Sequence, residues 1–259
     1  MVMALIAYAG FGIAPLSDEI IFWGILSGIL HGVYILCLSR AYSTADISYV
    51  YPIARSAPVF VPVFAWLFLD EHLSIFTFLA IGLILTAIYI LHFEGQLIQG
   101  FKNLIKAIRD QDLRWAFITL AMVVSYSLVD KKGMNAFLSH LPDQPFVNGI
   151  TFFFIEATLG FFLCNVYLFI KHPAKDILLT WKSEWKKAIL AGTATLGSYG
   201  LICVVLQFEA LSAIVTLRQV SVLMVVYWGC WKLKEPFGPQ RILAGALILI
   251  GIFLIGINS

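Results

Sequence analysis

Two long apolar stretches of this chain each carry an arginine near the middle. Arg55 lies within Ile47–Leu69, and Arg218 lies within Ser212–Trp231, 163 positions later. A charge inside a membrane span is expensive, so such residues are rare and usually functional. Because the same unusual placement occurs twice, the sequence predicts a duplicated membrane protein whose functional site is formed by both copies.

Further residues repeat at the same spacing. The matching pairs are Asp46 with Glu209, Val59 with Val222, Val63 with Val226 and Gly82 with Gly245. The two arginine-bearing spans are five crossings apart, an odd number, so they traverse the membrane in opposite directions. Such inverted repeats are typical of secondary transporters.

The composition identifies the class of protein. The chain is 61% hydrophobic and only 12% charged, which lies far outside the range of soluble domains. A membrane helix needs about 20 apolar residues, and eight such runs follow one short run at the start of the chain. The runs are Val2–Ala14, Ile21–Arg40, Ile47–Leu69, Leu73–Phe93, Arg114–Val129, Phe146–Ile170, Ala188–Phe208, Ser212–Trp231 and Gln240–Ile257. We therefore expect an all-α integral membrane protein with about nine membrane segments, eight of them full spans.

The runs divide into two inverted five-helix repeats, the first of which is incomplete. We expect the first repeat over residues 1–93, an amphipathic linker over 94–113 and the second repeat over 114–259. Val2–Ala14 is short for a span, and a shift of Phe146–Ile170 back by 163 positions reaches beyond Met1. The expectation is therefore a chain shortened at its N-terminus that lacks the first span; a misassigned start codon or a natural nine-segment form are the alternatives.

Basic residues predict the orientation in the membrane. They concentrate in the loops after the second, fourth, sixth and eighth runs, whereas the opposite side holds only Lys131 and Lys132. By the positive-inside rule the basic loops are cytoplasmic, which places the C-terminus outside. Ala174–Lys187, in one of these loops, has the pattern of an amphipathic helix that lies on the membrane surface.

Two stretches carry a resemblance to a known superfamily. They are RAYSTADISYVYPIARSAPVFVPVFAWLFLDEHLSIFTFLAIGLIL in the first half and EALSAIVTLRQVSVLMVVYWGCWKLKEPFGPQRILAGALILIGI in the second. Both resemble the drug/metabolite transporter superfamily, EamA type, in which each half ends with a span, a short acidic loop and a glycine-bearing span. Glu71 and Gly82, then Glu235 and Gly245, occupy those places. The segment YSLVDKKGM also resembles the end of that family's sixth span.

The resemblance implies a secondary transporter of a small polar metabolite, an exporter or exchanger that works by alternating access. It implies a small-molecule substrate, the lipid bilayer as surroundings and the bacterial inner membrane as location; the chain is either a monomer or a homodimer. The alternative is a non-transporting or degraded membrane partner without a complete cavity. The net charge of +2 is spread over loops and predicts no nucleic-acid partner.

An enzyme is not expected. The sequence contains no HExxH or GxSxG motif and no CxxC pair, so we predict no catalytic residues, no metal and no cofactor.

The arginines are the first candidates for binding substrate. A guanidinium group grips a carboxylate or phosphate through two parallel hydrogen bonds, so Arg55 and Arg218 on opposed helices would suit an anionic or zwitterionic substrate. Tyr51 and Ser48 share a helix face with Arg55. The alternative is that each arginine is structural and pairs with an acid or with helix carbonyls.

Glu156 is the candidate for proton coupling. It lies in the middle of FVNGITFFFIEATLGFF, and a carboxyl group inside a span can exchange a proton with a transmembrane gradient. A static ion pair is the alternative for this acid. Tyr34, Tyr199 and Gln207 are further candidates for substrate contact, with hydrogen bonds between helices as the alternative for each. His31 is expected to be a packed, neutral histidine.

Overall fold

The computed structural model describes residues 16–44, 50, 53–54, 56–71, 74–93, 114–221 and 238–256, and within them every regular element is a helix. There are eight. They are α1 (Asp18–Thr44), α2 (Ala57–Leu69), α3 (Ile75–Phe93), α4 (Arg114–His140), α5 (Pro145–Lys171), α6 (Ala174–Val205), α7 (Leu211–Leu217) and α8 (Gly238–Gly256). The prediction of an all-α fold is confirmed for this part of the chain.

Three of these helices are long and apolar enough to cross a membrane. They are α1, α5 and α6, with 27, 27 and 32 residues. Shorter apolar helical segments occur in α2, α3 and α8. At 1.5 Å per residue, α1 and α5 each extend about 40 Å, more than the roughly 30 Å of a hydrocarbon core. The number of membrane segments and the inverted repeat remain predictions.

Two predicted segment boundaries are wrong. The run predicted to end at Val129 continues as α4 to His140, so Lys131 and Lys132 lie on a helix and not in a loop. The surface helix Ala174–Lys187 and the following span form one continuous helix, α6, because no proline or glycine pair separates them. The run that begins at Ser212 has a turn at Arg218 and Gln219 and is helical again at Val220 and Ser221, and its remainder lies outside the described residues.

The helices form two compact units that do not follow the sequence repeats. The first unit contains residues up to 36 together with 125–208, and the second contains 37–124 together with 209 onward. Each unit therefore takes helices from both halves of the sequence. The predicted repeat boundaries remain predictions, because a duplicated sequence does not require that each copy fold as a separate body.

In the second unit, α3 and α8 pack along each other, and α2 packs against α7. Ala87 on α3 and Ala244 and Ile248 on α8 are fully buried in one cluster. Gly251 allows the close approach, because a Cβ atom there would lie 2.7 Å from the Ile84 side chain and 3.1 Å from the Ala80 carbonyl oxygen.

A carboxylate links the two sequence repeats within this unit. Glu71, directly after α2, accepts hydrogen bonds from the backbone N–H groups of Leu211 (2.6 Å) and Ser212 (3.2 Å) and from the Ser212 hydroxyl (2.7 Å). The first N–H groups of a helix have no partner within it, and a negative charge there also suits the helix dipole. The loop acid of the first repeat thus caps α7 of the second.

We predict that Glu71→Ala lowers the free energy of unfolding of the detergent-solubilised protein by about 1–2 kcal/mol, the usual cost of losing a helix cap, and that its melting temperature falls accordingly. Asp70→Gly is the matched control. Asp70 has φ 53°, a left-handed conformation that glycine adopts without strain, so its melting temperature should stay the same or rise. Equal losses from the two changes would contradict the capping role.

Candidate functional site

Two carboxyl groups and a hydroxyl lie buried together in the first unit. Asp130 on α4 and Ser27 on α1 have no exposed surface, and Glu156 on α5 is 2% exposed. All three belong to helices with apolar surroundings, where acids are costly and mark functional sites. We call Ser27, His31, Asp130, Glu156 and Tyr199 the acidic cluster.

The Ser27 hydroxyl lies at the centre of the acidic cluster. Its oxygen is 2.5 Å from Asp130 Oδ1 and 3.0 Å from Glu156 Oε2. The Tyr199 hydroxyl, from α6, donates to the second oxygen of Asp130 at 2.6 Å. His31 Nδ1 lies 3.2 Å from the Ser27 hydroxyl and 3.7 Å from Glu156 Oε2.

These distances limit where the protons lie. A serine hydroxyl carries one hydrogen, so Ser27 can donate to only one of the two carboxyl oxygens beside it. The contact with Asp130 is the shorter one, and Tyr199 donates to the same carboxyl group. The arrangement therefore suits an ionised Asp130, and Glu156 lies beside both the Ser27 hydroxyl and the His31 ring.

Aromatic rings surround the acids. The His31 ring stacks on Tyr126 with ring centres 3.9 Å apart, and Tyr199 meets His31 edge to face at 5.3 Å. Tyr34 extends this group through an edge contact with Tyr126 at 5.4 Å. The His31 side chain is 15% exposed, whereas Tyr126 is buried like the acids.

Glycines on α1 bring α5 close enough to form the cluster. A Cβ atom on Gly28 would lie 2.8 Å from Leu159 Cβ and 2.9 Å from the Glu156 carbonyl oxygen. One turn further along, a Cβ atom on Gly32 would lie 3.0 Å from the Leu163 side chain and 3.4 Å from the Gly160 Cα atom of α5. Small residues at this spacing allow membrane helices to pack backbone against backbone, and here they place Ser27 within hydrogen-bonding distance of Glu156.

We predict that Gly28→Ala destabilises the protein by about 1–3 kcal/mol, as overpacking typically does, because the helix backbone at Glu156 has to move. Gly192→Ala on α6 is the control, since a Cβ atom there meets nothing within 4 Å; alanine favours the helix by about 1 kcal/mol, so this variant should melt at the same temperature or higher. A Gly28→Ala protein that melts no lower than the control would show that the packing of α1 on α5 is loose.

The structure brings three of the predicted site residues together. Glu156 and Tyr199 belong to the acidic cluster, and Tyr34 contacts it through Tyr126. His31, expected to be packed and neutral, lies between the acids and the rings. The structure shows where these residues lie, whereas their roles in substrate binding and proton coupling remain predictions.

Gln207 lies elsewhere in the first unit. Its side-chain amide donates to the carbonyl oxygens of Pro145 (2.7 Å) and Val204 (3.1 Å), and its oxygen accepts from Asn148 (3.2 Å). The geometry therefore matches the alternative, a hydrogen bond between helices, here between the end of α6 and the start of α5.

Of the two predicted arginines, the structure describes only Arg218. Arg218 caps the C-terminal end of α7 in the second unit and is partly buried. Arg55, Tyr51 and Ser48 lie outside the described residues. The proposal that the two arginines share a substrate thus remains a prediction.

Asp130 and Ser27 were not among the predicted site residues. Asp130 directly precedes Lys131 and Lys132, so the sequence was interpreted as the end of a span, whereas α4 continues for ten further residues. The available signal was helical spacing: Tyr126 and Asp130 are four positions apart, as are Ser27 and His31, so each pair shares a helix face.

The cluster also contains the residues best placed to hold a metal ion within the described part of the chain. Single ligand atoms of His31, Asp130 and Glu156 all lie within 4.8 Å of one another. Ser27 and Tyr199, however, already occupy oxygens of both carboxyl groups through hydrogen bonds.

A comparison with protein families places this geometry in context. Residues 1–93 match the EamA-like transporter family. The predicted resemblance is confirmed. The members of that family are transporters, and the match of this part of the chain, together with the apolar helices, suggests a membrane transporter. No curated protein matches the chain significantly.

Proposed function

We propose that the protein is a proton-coupled secondary transporter of a small polar metabolite, an exporter or exchanger of the bacterial inner membrane. The observation that carries the coupling is the hydroxyl of Ser27 between two buried carboxyl groups, Asp130 and Glu156. The family match of residues 1–93 supports transport as the activity. The inverted repeat inferred from the sequence supports alternating access as the mechanism.

Glu156 is the proton carrier in this proposal. Ser27 and Tyr199 both donate to Asp130, which stabilises the negative charge on that residue; hydrogen bonds to a charged group contribute about 1.5–3 kcal/mol each. The cost of a second ionised carboxyl group beside the first is avoided when Glu156 takes up a proton. Glu156 can therefore change its charge without a change in that of Asp130.

The two arginines are the substrate-binding residues in this proposal. Arg55 and Arg218 hold an anionic part of the substrate, and Tyr51 and Ser48 line the same face as Arg55. Support comes from their matching positions in the two repeats. The chain acts either as a monomer or as a homodimer, and the rival function is a membrane partner that does not transport.

We predict that Glu156→Gln abolishes uptake driven by a pH gradient in proteoliposomes, because the amide takes up no proton. The assay measures uptake of labelled amino acids and nucleotide sugars with and without the gradient. Glu184→Gln is the matched control, since Glu184 is an exposed acid that pairs with Lys187 on α6. Gradient-driven uptake that persists in Glu156→Gln would overturn the coupling role.

Separate variants test the arginines. Arg55→Ala and Arg218→Ala should each weaken saturable uptake about tenfold or more, since a charge-assisted hydrogen bond contributes about 1.5–3 kcal/mol. Arg114→Ala serves as the control, because Arg114 is exposed and its guanidinium lies 5.6 Å from the centre of the neighbouring Trp115 ring. Absence of saturable uptake by the unaltered protein for every solute would favour the non-transporting partner instead.

A further inference from the structure

Helix α6 carries charge at one end and none at the other. All its charged residues lie within Ala174–Lys187, and the rest of the helix, Ala188–Val205, has none. At 1.5 Å per residue the charge-free part extends about 27 Å, close to the roughly 30 Å of a hydrocarbon core. Because the helix is continuous, its charged part extends from the end of the span into the layer of lipid headgroups.

Three lysines lie on one face of this charged part. Lys175, Lys182 and Lys186 are separated by seven and four positions, the spacing that places residues on the same side of a helix, and all three are exposed. We call them the lysine stripe. Lys182 and Lys186 are one turn apart, so both ammonium groups can reach one phosphate group.

The acids of the same segment lie away from the lysine stripe. Glu184 forms an ion pair with Lys187 at 2.8 Å, and at about 100° per residue both lie on the other side of the helix. Asp176 directly follows Lys175 and therefore lies about 100° around the helix from it. The segment thus has one cationic face without an acid, and the cation on its other side already has a partner.

Apolar side chains border the lysine stripe. Leu178 and Trp185 are 53% and 43% exposed, and the Lys186 ammonium group lies 5.7 Å from the centre of the Trp185 ring. Within the described part of the chain, every residue of Ala174–Lys187 except Ile177 is exposed. Tryptophan is enriched where membrane and water meet, because its ring is apolar and its N–H group is polar. Exposed cations beside exposed apolar groups suit a ligand with an anionic head and an apolar tail.

We propose that the lysine stripe binds the headgroups of anionic phospholipids. Lys182 and Lys186 contact the phosphate group, and Leu178 and Trp185 contact the acyl chains. A soluble anion would leave these apolar side chains in water, whereas a lipid covers them. The site is independent of the substrate and of the direction of transport.

The charge of the headgroup decides which lipid binds. Basic residues next to a span are attracted to anionic membrane surfaces, and each lysine changes the affinity about fivefold. A zwitterionic phospholipid has the same phosphate group with a cation attached, so its net charge is zero. The lysine stripe therefore selects phosphatidylglycerol over phosphatidylcholine.

Fluorescence quenching of the full chain in lipid nanodiscs tests this selectivity. Phosphatidylglycerol or phosphatidylcholine, brominated on the acyl chains, is added as a minor component to unlabelled phosphatidylcholine, because bromine quenches nearby tryptophan. The quenching that is lost in Trp185→Phe reports the surroundings of the lysine stripe. We expect brominated phosphatidylglycerol to be at least tenfold more effective at this position than brominated phosphatidylcholine. Equal quenching by the two lipids would overturn the proposal.

Variants on the same helix assign the selectivity to the lysine stripe. Lys182→Gln combined with Lys186→Gln should lower the preference for phosphatidylglycerol about tenfold or more. Lys187→Gln is the matched control, since it removes the same charge one residue further along, from the side where Glu184 neutralises it, and it should leave the preference unchanged. A preference that survives in the double variant, or that Lys187→Gln reduces as strongly, contradicts a site on this face.

Two further measurements separate the lipid from other anions. About 1 M salt reduces the Debye length to about 3 Å, so the unaltered protein should lose most of its preference; an unchanged preference would exclude an electrostatic site even if the double variant did not reconstitute. Glycerol phosphate or an acidic peptide, added at the same concentration as the lipid, should not reverse the quenching. Reversal by glycerol phosphate would make the lysine stripe a site for soluble phosphates, and reversal by the peptide would make it a site for an acidic protein.

Discussion

A single hydroxyl group between two buried carboxyl groups determines what this part of the protein can do. An ionised carboxyl group at the centre of a bilayer costs about 3 kcal/mol, and two adjacent ones cost more because they repel. Ser27 and Tyr199 both donate to Asp130, and two hydrogen bonds to a charged group return about 3–6 kcal/mol. These bonds can offset one negative charge but not two. In the proposed mechanism, Glu156 is therefore the carboxyl group whose charge changes during transport.

The close packing of α1 on α5 holds the Ser27 hydroxyl in place. Ser27 reaches both acids because Gly28 and Gly32 allow α1 to lie directly on the backbone of α5. The cluster combines three consecutive helices, α4, α5 and α6, with α1 from much earlier in the sequence, so no single helix determines it. In the proposed mechanism, a change of helix packing that separates Ser27 from Glu156 would alter the proton affinity of Glu156. Proton exchange and helix movement would then be connected through this contact.

Some residues of the first unit could be predicted from the sequence and others could not, and the difference has a physical cause. Glu156 could be predicted as a site residue because an acid in an apolar run is costly and therefore marks either a functional group or an ion pair. Asp130 was not, since Lys131 and Lys132 beside it give the segment the composition of a loop, and only the three-dimensional packing of α4 shows that one face remains buried through Met134 and Phe137. Gln207 shows what the sequence alone leaves open. A polar residue near a span end suits either a cavity or a hydrogen bond between helices, and only the packing shows that its side chain connects α6 to the start of α5 through backbone carbonyls.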